Sequence, residues 1–151
     1  MKETYYLNQG TLPQMPVPHD NQIERITVDK EFITFFLTAD VNDPDDGIRR
    51  FHPDAKALTM RFHLTNEDDF NWVRQQDRRL RNLIPHFLIP ARVTWRVHYI
   101  SMDNKKLNGL ADSGESLEYI THYVGYNKVI IQFGFCYLEA CADYAEYEWI
   151  S

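Results

Sequence analysis

Four side chains in the last third of the chain could do acid–base work: Glu118, His122, Glu139 and Asp143. Paired carboxylates with a histidine are the usual equipment of hydrolysis, one group donating a proton while another activates water. On one strand, Glu139 and Asp143 share a parity, with α-carbons about 13 Å apart at ~3.3 Å per residue. That exceeds the ~5–9.5 Å separating the carboxyl groups of glycosidases. A hydrolase or small-ligand protein would therefore need neighbouring strands to bring Glu118 and His122 in around a concave sheet face. The alternative is that these residues simply alternate outwards from half-buried strands.

Other catalytic equipment is missing from the sequence. The four serines lie in no G-x-S-x-G context, the setting that exposes a nucleophile on a strained turn; Ser113 and Ser116 read as turn and cap residues. No glycine-rich loop suits a phosphate or dinucleotide, so no cofactor is expected. The six histidines form no H-E-x-x-H pair and no close Cys/His cluster, so no metal site is expected either. His63 and His98 stand beside Arg61 and Arg96, cations that disfavour a second positive charge. The acidic stretch 40–47, DVNDPDDG, fails as a calcium loop. Registering Gly47 at position six puts Pro44 at a ligand position.

Surface residues carry the better functional signal. In the segment 143–149, Tyr144, Tyr147 and Trp149 interleave with Asp143, Glu146 and Glu148. Tyrosine and tryptophan are the usual anchors of protein interfaces. These six residues therefore predict an acidic, aromatic binding surface for a protein partner or for self-association, with a homodimer as one form. The competing reading places the same aromatics at the rim of the core. Arg74, Arg78, Arg79 and Arg81 form the one basic cluster, of which Arg74, Arg78 and Arg81 would line one helix side if that segment were helical.

Composition narrows the class. The chain has 151 residues, 44% hydrophobic and 25% charged, within the range of ordinary globular proteins. The net charge of −6 argues against nucleic acid, which demands positive potential along a phosphate track. Charge is uneven: residues 1–60, 61–100 and 101–151 carry −4, +3 and −5, a polarity that suits association. No apolar run approaches ~18 residues, so no membrane span is expected, and the first sixteen residues lack the apolar region of a signal peptide. Cys136 and Cys141, five apart on a strand, would lie about 16 Å apart, too far for a disulfide. Two reduced thiols point to a cytoplasmic protein.

The elements that must position these residues are mostly strands. Residues 1–20 read as an extended, proline-containing lead-in. Residues 22–28 and 32–37 make a hairpin, the first with a bulge or a late start because Ile23 and Ile26 fall on opposite parities. Phe32 to Leu37 is apolar on both parities, as in a strand covered on both sides. Leu58, Met60, Phe62 and Leu64 alternate with Thr59, Arg61 and His63, one face wet. Residues 66–84 are read as a helix on the spacing of Phe70, Val73, Leu80, Leu83 and Ile84, although Phe70 and Trp72 alternate like a strand. A strand at 93–99 and a short helix within 103–111 follow. Residues 117–124, with Leu117, Tyr119, Thr121 and Tyr123 on one face, and 129–135 form a hairpin around 125–127. One long strand, 137–150, bends near Asp143. The expectation is a single domain over 1–151: an α+β, β-rich fold with a mainly antiparallel sheet, as sandwich or half-barrel, and one or two short helices.

Overall fold

A computed structural model of the chain describes residues 1–66, 70–76, 98–101, 104–107, 109–110 and 116–151. Ten strands follow in chain order: β1 (Lys2–Tyr6), β2 (Asn21–Val28), β3 (Phe32–Thr38), β4 (Ala57–Leu64), β5 (Asn71–Gln76), β6 (His98–Ser101), β7 (Glu118–Gly125), β8 (Lys128–Phe133), β9 (Cys136–Ala140) and β10 (Ala142–Ile150). One helical turn, α1 (Asn104–Leu107), lies between β6 and β7. All strand pairs are antiparallel, in the order β1-β10-β4-β3-β2-β7-β8-β9-β5-β6.

The expected β-rich antiparallel sheet is present, and the short helix expected within 103–111 is present as α1. Among the described residues helix is confined to the four of α1, so α+β is corrected to a sheet protein there. Residues 71–76 form β5 rather than a helix: Phe70 and Trp72 are buried while Asn71 between them is exposed, and that alternation outweighed the helical spacing. The remainder of the expected helix, with Arg78, Arg79 and Arg81, lies outside the described residues, as do most of the strand expected at 93–99 and Ser113.

The sheet must curl, and its connectivity shows why. β9 and β10 are separated by Cys141 alone, yet stand six places apart in the strand order. In a flat sheet six steps of ~4.8 Å would put them about 29 Å apart, far beyond the reach of one residue. Ring contacts trace the fold-over: Phe35 of β3 packs edge-on against Tyr119 of β7 (5.6 Å) and Phe133 of β8 (5.5 Å). The two halves, β1-β10-β4-β3-β2 and β7-β8-β9-β5-β6, share only two residue pairs at their junction, Asn21↔Tyr119 and Gln22↔Glu118. Between them lies one buried cluster that includes Ile33, Phe35, Leu58, Met60, Phe62, Trp72, Phe133 and Leu138. Fully burying side chains of this size contributes roughly 1.5–3 kcal/mol each, which drives the curl.

Two expectations about strand identity are corrected. The long strand 137–150 is two strands with different neighbours, broken at Cys141. The lead-in 1–20 contains β1, which pairs with β10 from Lys2↔Glu148 to Tyr6↔Tyr144. The bulge expected between Ile23 and Ile26 is present between Ile23 and Arg25, and both isoleucines are buried. Neither cysteine is in a disulfide.

The acidic stretch 40–47 has a structural use. Asp46 is buried, and both of its oxygens are filled. The N–H groups of Ile48 and Arg49 donate to Oδ1 at 2.9 Å each. Asn21 Nδ2 and the Asp40 N–H donate to Oδ2 at 2.6 and 2.7 Å. Asp46 thus caps the helical turn that follows it and ties the loop to the first residue of β2. Asp46→Ala is expected to lower unfolding free energy by about 3 kcal/mol, because it strands several buried donors at once. Urea titration of parent and variant would measure this; a loss below about 1 kcal/mol would remove the capping role.

Candidate binding surface

A β-bulge on β10 organises the outer face of the first half-sheet. Ala142 pairs with Leu64 and Ala145 with Phe62, so Asp143 and Tyr144 together oppose the single residue His63. Bulges re-aim side chains in this way. Both residues turn onto the histidine: His63 Nδ1 donates to Asp143 Oδ1 at 2.6 Å, and the Tyr144 ring stacks on the imidazole at 4.6 Å with 14° between planes. The row continues across neighbouring strands, with Tyr6 of β1 at 6.3 Å from Tyr144 and Phe32 of β3 at 5.2 Å from His63.

Charges lace the same face. Arg61 stacks over Phe32 at 4.0 Å and meets Glu146 at 3.3 Å; Lys2 meets Glu148 at 3.5 Å; Arg25 stacks over Phe36 at 4.0 Å. The apolar outer positions of β3 are thus covered by arginines, which explains its apolar residues on both parities. Solvent-exposed ion pairs add only about 0.2–1 kcal/mol each, so they act to orient the aromatic rings more than to hold the fold. Tyr144 has its phenol pushed up, first by desolvation and then by Glu146 and Asp143, so its hydroxyl stays protonated and able to donate.

The six residues expected on this surface separate into two sets. Tyr144, Glu146 and Glu148 face outwards with Asp143. Tyr147 and Trp149 are only 0% and 3% exposed, because the bulge resets the parity of β10 and sends alternate residues inwards. Their polar atoms are satisfied there: Tyr147 donates to the Pro16 carbonyl at 3.1 Å, and Trp149 Nε1 donates to Glu3 Oε2 at 2.9 Å. The face is also less acidic than expected, since Glu146 and Glu148 each face a cation, Arg61 and Lys2, and Asp143 meets His63.

The four acid–base candidates are not brought together. His122 is buried, its Nδ1 2.9 Å from the Tyr119 hydroxyl, while Glu118 on the same strand is exposed. Glu139 is outward on β9 and ion-paired with Lys128. Asp143 belongs to the other half-sheet and to His63. His122 points inwards because the β7–β8 register shifts between Tyr119 and Thr121. The same shift separates Tyr123, expected on one face with Tyr119, from it: Tyr119 is buried and Tyr123 is 66% exposed.

Two cavities, about 400 and 320 Å³, share Asp20, Asp40 and Asp46. Their carboxylates serve local turns: Asp40 accepts from the Asn42 N–H and Asp43 from the Asp45 N–H, both at 2.9 Å. Among the described residues no group of three or more His, Cys, Asp or Glu side chains could hold a metal ion. No helix there is long and apolar enough to cross a membrane.

No protein-family model, curated protein or solved structure matches the chain. A functional reading therefore rests on the geometry alone. Sequence reasoning missed Tyr6, Phe32, Arg61 and His63 as members of one surface. The alternation of β4 had placed Arg61 and His63 on a common wet face, and that was the signal available. The partner strands β1 and β10, about 140 residues apart in the chain, could not be inferred from local pattern.

Proposed function

We propose that the chain is a non-enzymatic protein-binding module, its curled sheet acting as a half-barrel or sandwich scaffold for a contact surface centred on Tyr144. The observation that carries this reading is the bulge that stacks Tyr144 on His63 beside Tyr6 and Phe32. A solvent-facing cluster of orientated rings bordered by paired charges has the make-up of an interface centre with a polar rim. The dispersal of Glu118, His122, Glu139 and Asp143 removes the support for the hydrolytic alternative. Two cysteines outside any disulfide suit a reducing compartment such as the cytoplasm.

Immobilised protein, challenged with cell extract at physiological salt, tests the reading. Tyr144→Ala is expected to reduce specific capture about tenfold, while Tyr123→Ala on the other half-sheet leaves it unchanged. A parent chain that captures nothing, or equal losses from both variants, would overturn the proposal.

A further inference from the structure

β1 is the edge strand of the sheet, and its register shows which backbone groups face away from β10. Met1 and Trp149 exchange both hydrogen bonds, at 2.8 Å each, and the Leu7 N–H donates to the Asp143 carbonyl at 2.7 Å. Odd-numbered residues therefore face β10, since hydrogen-bonded and non-hydrogen-bonded pairs alternate along an antiparallel ladder. The N–H and C=O groups of Lys2, Thr4 and Tyr6 point the other way, and the side chains of these residues are exposed on the Tyr144 face. Five residues with three outward pairs of backbone groups are a template for a further strand.

We infer that this edge pairs with the same edge of a second copy of the chain, antiparallel across a two-fold axis at Thr4. The register that satisfies all outward groups sets Thr4 against the partner copy's own Thr4, and Lys2 against Tyr6 in both directions, giving six backbone hydrogen bonds. It sets no like charges opposite one another: lysine meets tyrosine, and on the inner side Glu3 meets Tyr5. Slipping the pairing by two residues one way puts Glu3 against Glu3 and loses two hydrogen bonds. Slipping it the other way loses the same two. The two-fold register is thus selected by the strand's own sequence, and it joins the Tyr144 faces of both copies into one continuous surface. The pairing uses the backbone of β1 and stands apart from whatever else that surface binds.

The test is sedimentation together with engineered crosslinking of the untagged chain. The parent is expected to sediment at twice its 18.0 kDa. Thr4→Pro removes a donor at the axis while its nitrogen faces away from β10, so the intrachain ladder survives. It is expected to sediment as a monomer with unchanged circular dichroism. Thr4→Cys is expected to form an intermolecular disulfide on mild oxidation, because directly opposed hydrogen-bonded residues have α-carbons about 5.5 Å apart. Lys2→Cys, whose copies would lie about 14 Å apart, and the parent chain, with its own two thiols, are expected to form none. A parent that sediments as a monomer up to its solubility limit would overturn the inference. So would a Thr4→Pro dimer, or equal crosslinking at positions 2 and 4.

Discussion

Gly47→Ala is expected to destabilise the protein by about 3 kcal/mol, a larger effect than its surface loop would suggest. A β-carbon at this position would lie 2.5 Å from the His19 carbonyl oxygen, 2.6 Å from the His19 nitrogen and 2.6 Å from Asn21 Oδ1. Two of these atoms belong to backbone, so no side-chain rotation relieves the contact. The third belongs to Asn21, whose amide nitrogen is committed to Thr38 and Asp46. Displacing the loop would therefore pull apart the Asp46 cap and the start of β2, next to the narrow β2–β7 junction. Chemical denaturation should show a lower midpoint with an unchanged slope. A midpoint equal to that of the parent would mean that the close approach of 47 to 19 is not required.

The second large effect is a pH dependence set by His122. Burial lowers this imidazole from the usual 6.5 to about 4 in the folded state, where it sits between Tyr119 and Phe62. The unfolded chain binds a proton at its ordinary value, so between these limits unfolding takes up a proton. Stability from this group is fully present above pH 6.5 and is lost as the pH falls towards 4. A shift of this size corresponds to about 3 kcal/mol across the window. His122→Gln, which keeps a polar group near the Tyr119 hydroxyl, is expected to remove this slope. Urea midpoints at pH 7.0 and 4.5 would show it; an equally steep acid dependence in the variant would assign the effect to other groups.

How much could be read in the sequence depended on whether local pattern or distant pairing decided the outcome. The inward row Leu58, Met60, Phe62 and Leu64 was legible because strict alternation leaves one arrangement. The bulge after Ile23 was legible because two isoleucines of opposite parity both demanded burial. The same reasoning did not reach Tyr147 and Trp149. The slip in apolar parity marked the bend near Asp143, where the bulge is present, but nothing in the local pattern sets the point at which alternation resumes. Cys141 likewise shows no turn chemistry, yet the chain leaves one half-sheet there and enters the other. The break follows from the pairing of β9 with β8 and β10 with β4, which are long-range choices made by the core. β1 was hidden for a similar reason: KETYY becomes a strand because the edge of β10 is open beside it, 140 residues later.

The binding surface was half visible for the same physical reason. Tyr144, Glu146 and Glu148 could be named from their spacing, but their basic partners Lys2, Arg61 and His63 come from two other strands. What looked like an acidic tail in sequence is a face partly neutralised by Lys2 and Arg61 in three dimensions, and its distinguishing property is the orientation of its rings.

The central claim, that the Tyr144 face is where the chain meets another protein, is tested most directly by site-specific photo-crosslinking in cells. A photo-reactive phenylalanine derivative at position 144 is predicted to give a discrete adduct with another protein, and the same group at the more exposed position 123 to give none. Adducts at 123 with none at 144 would contradict the account and move the interface to the opposite half-sheet.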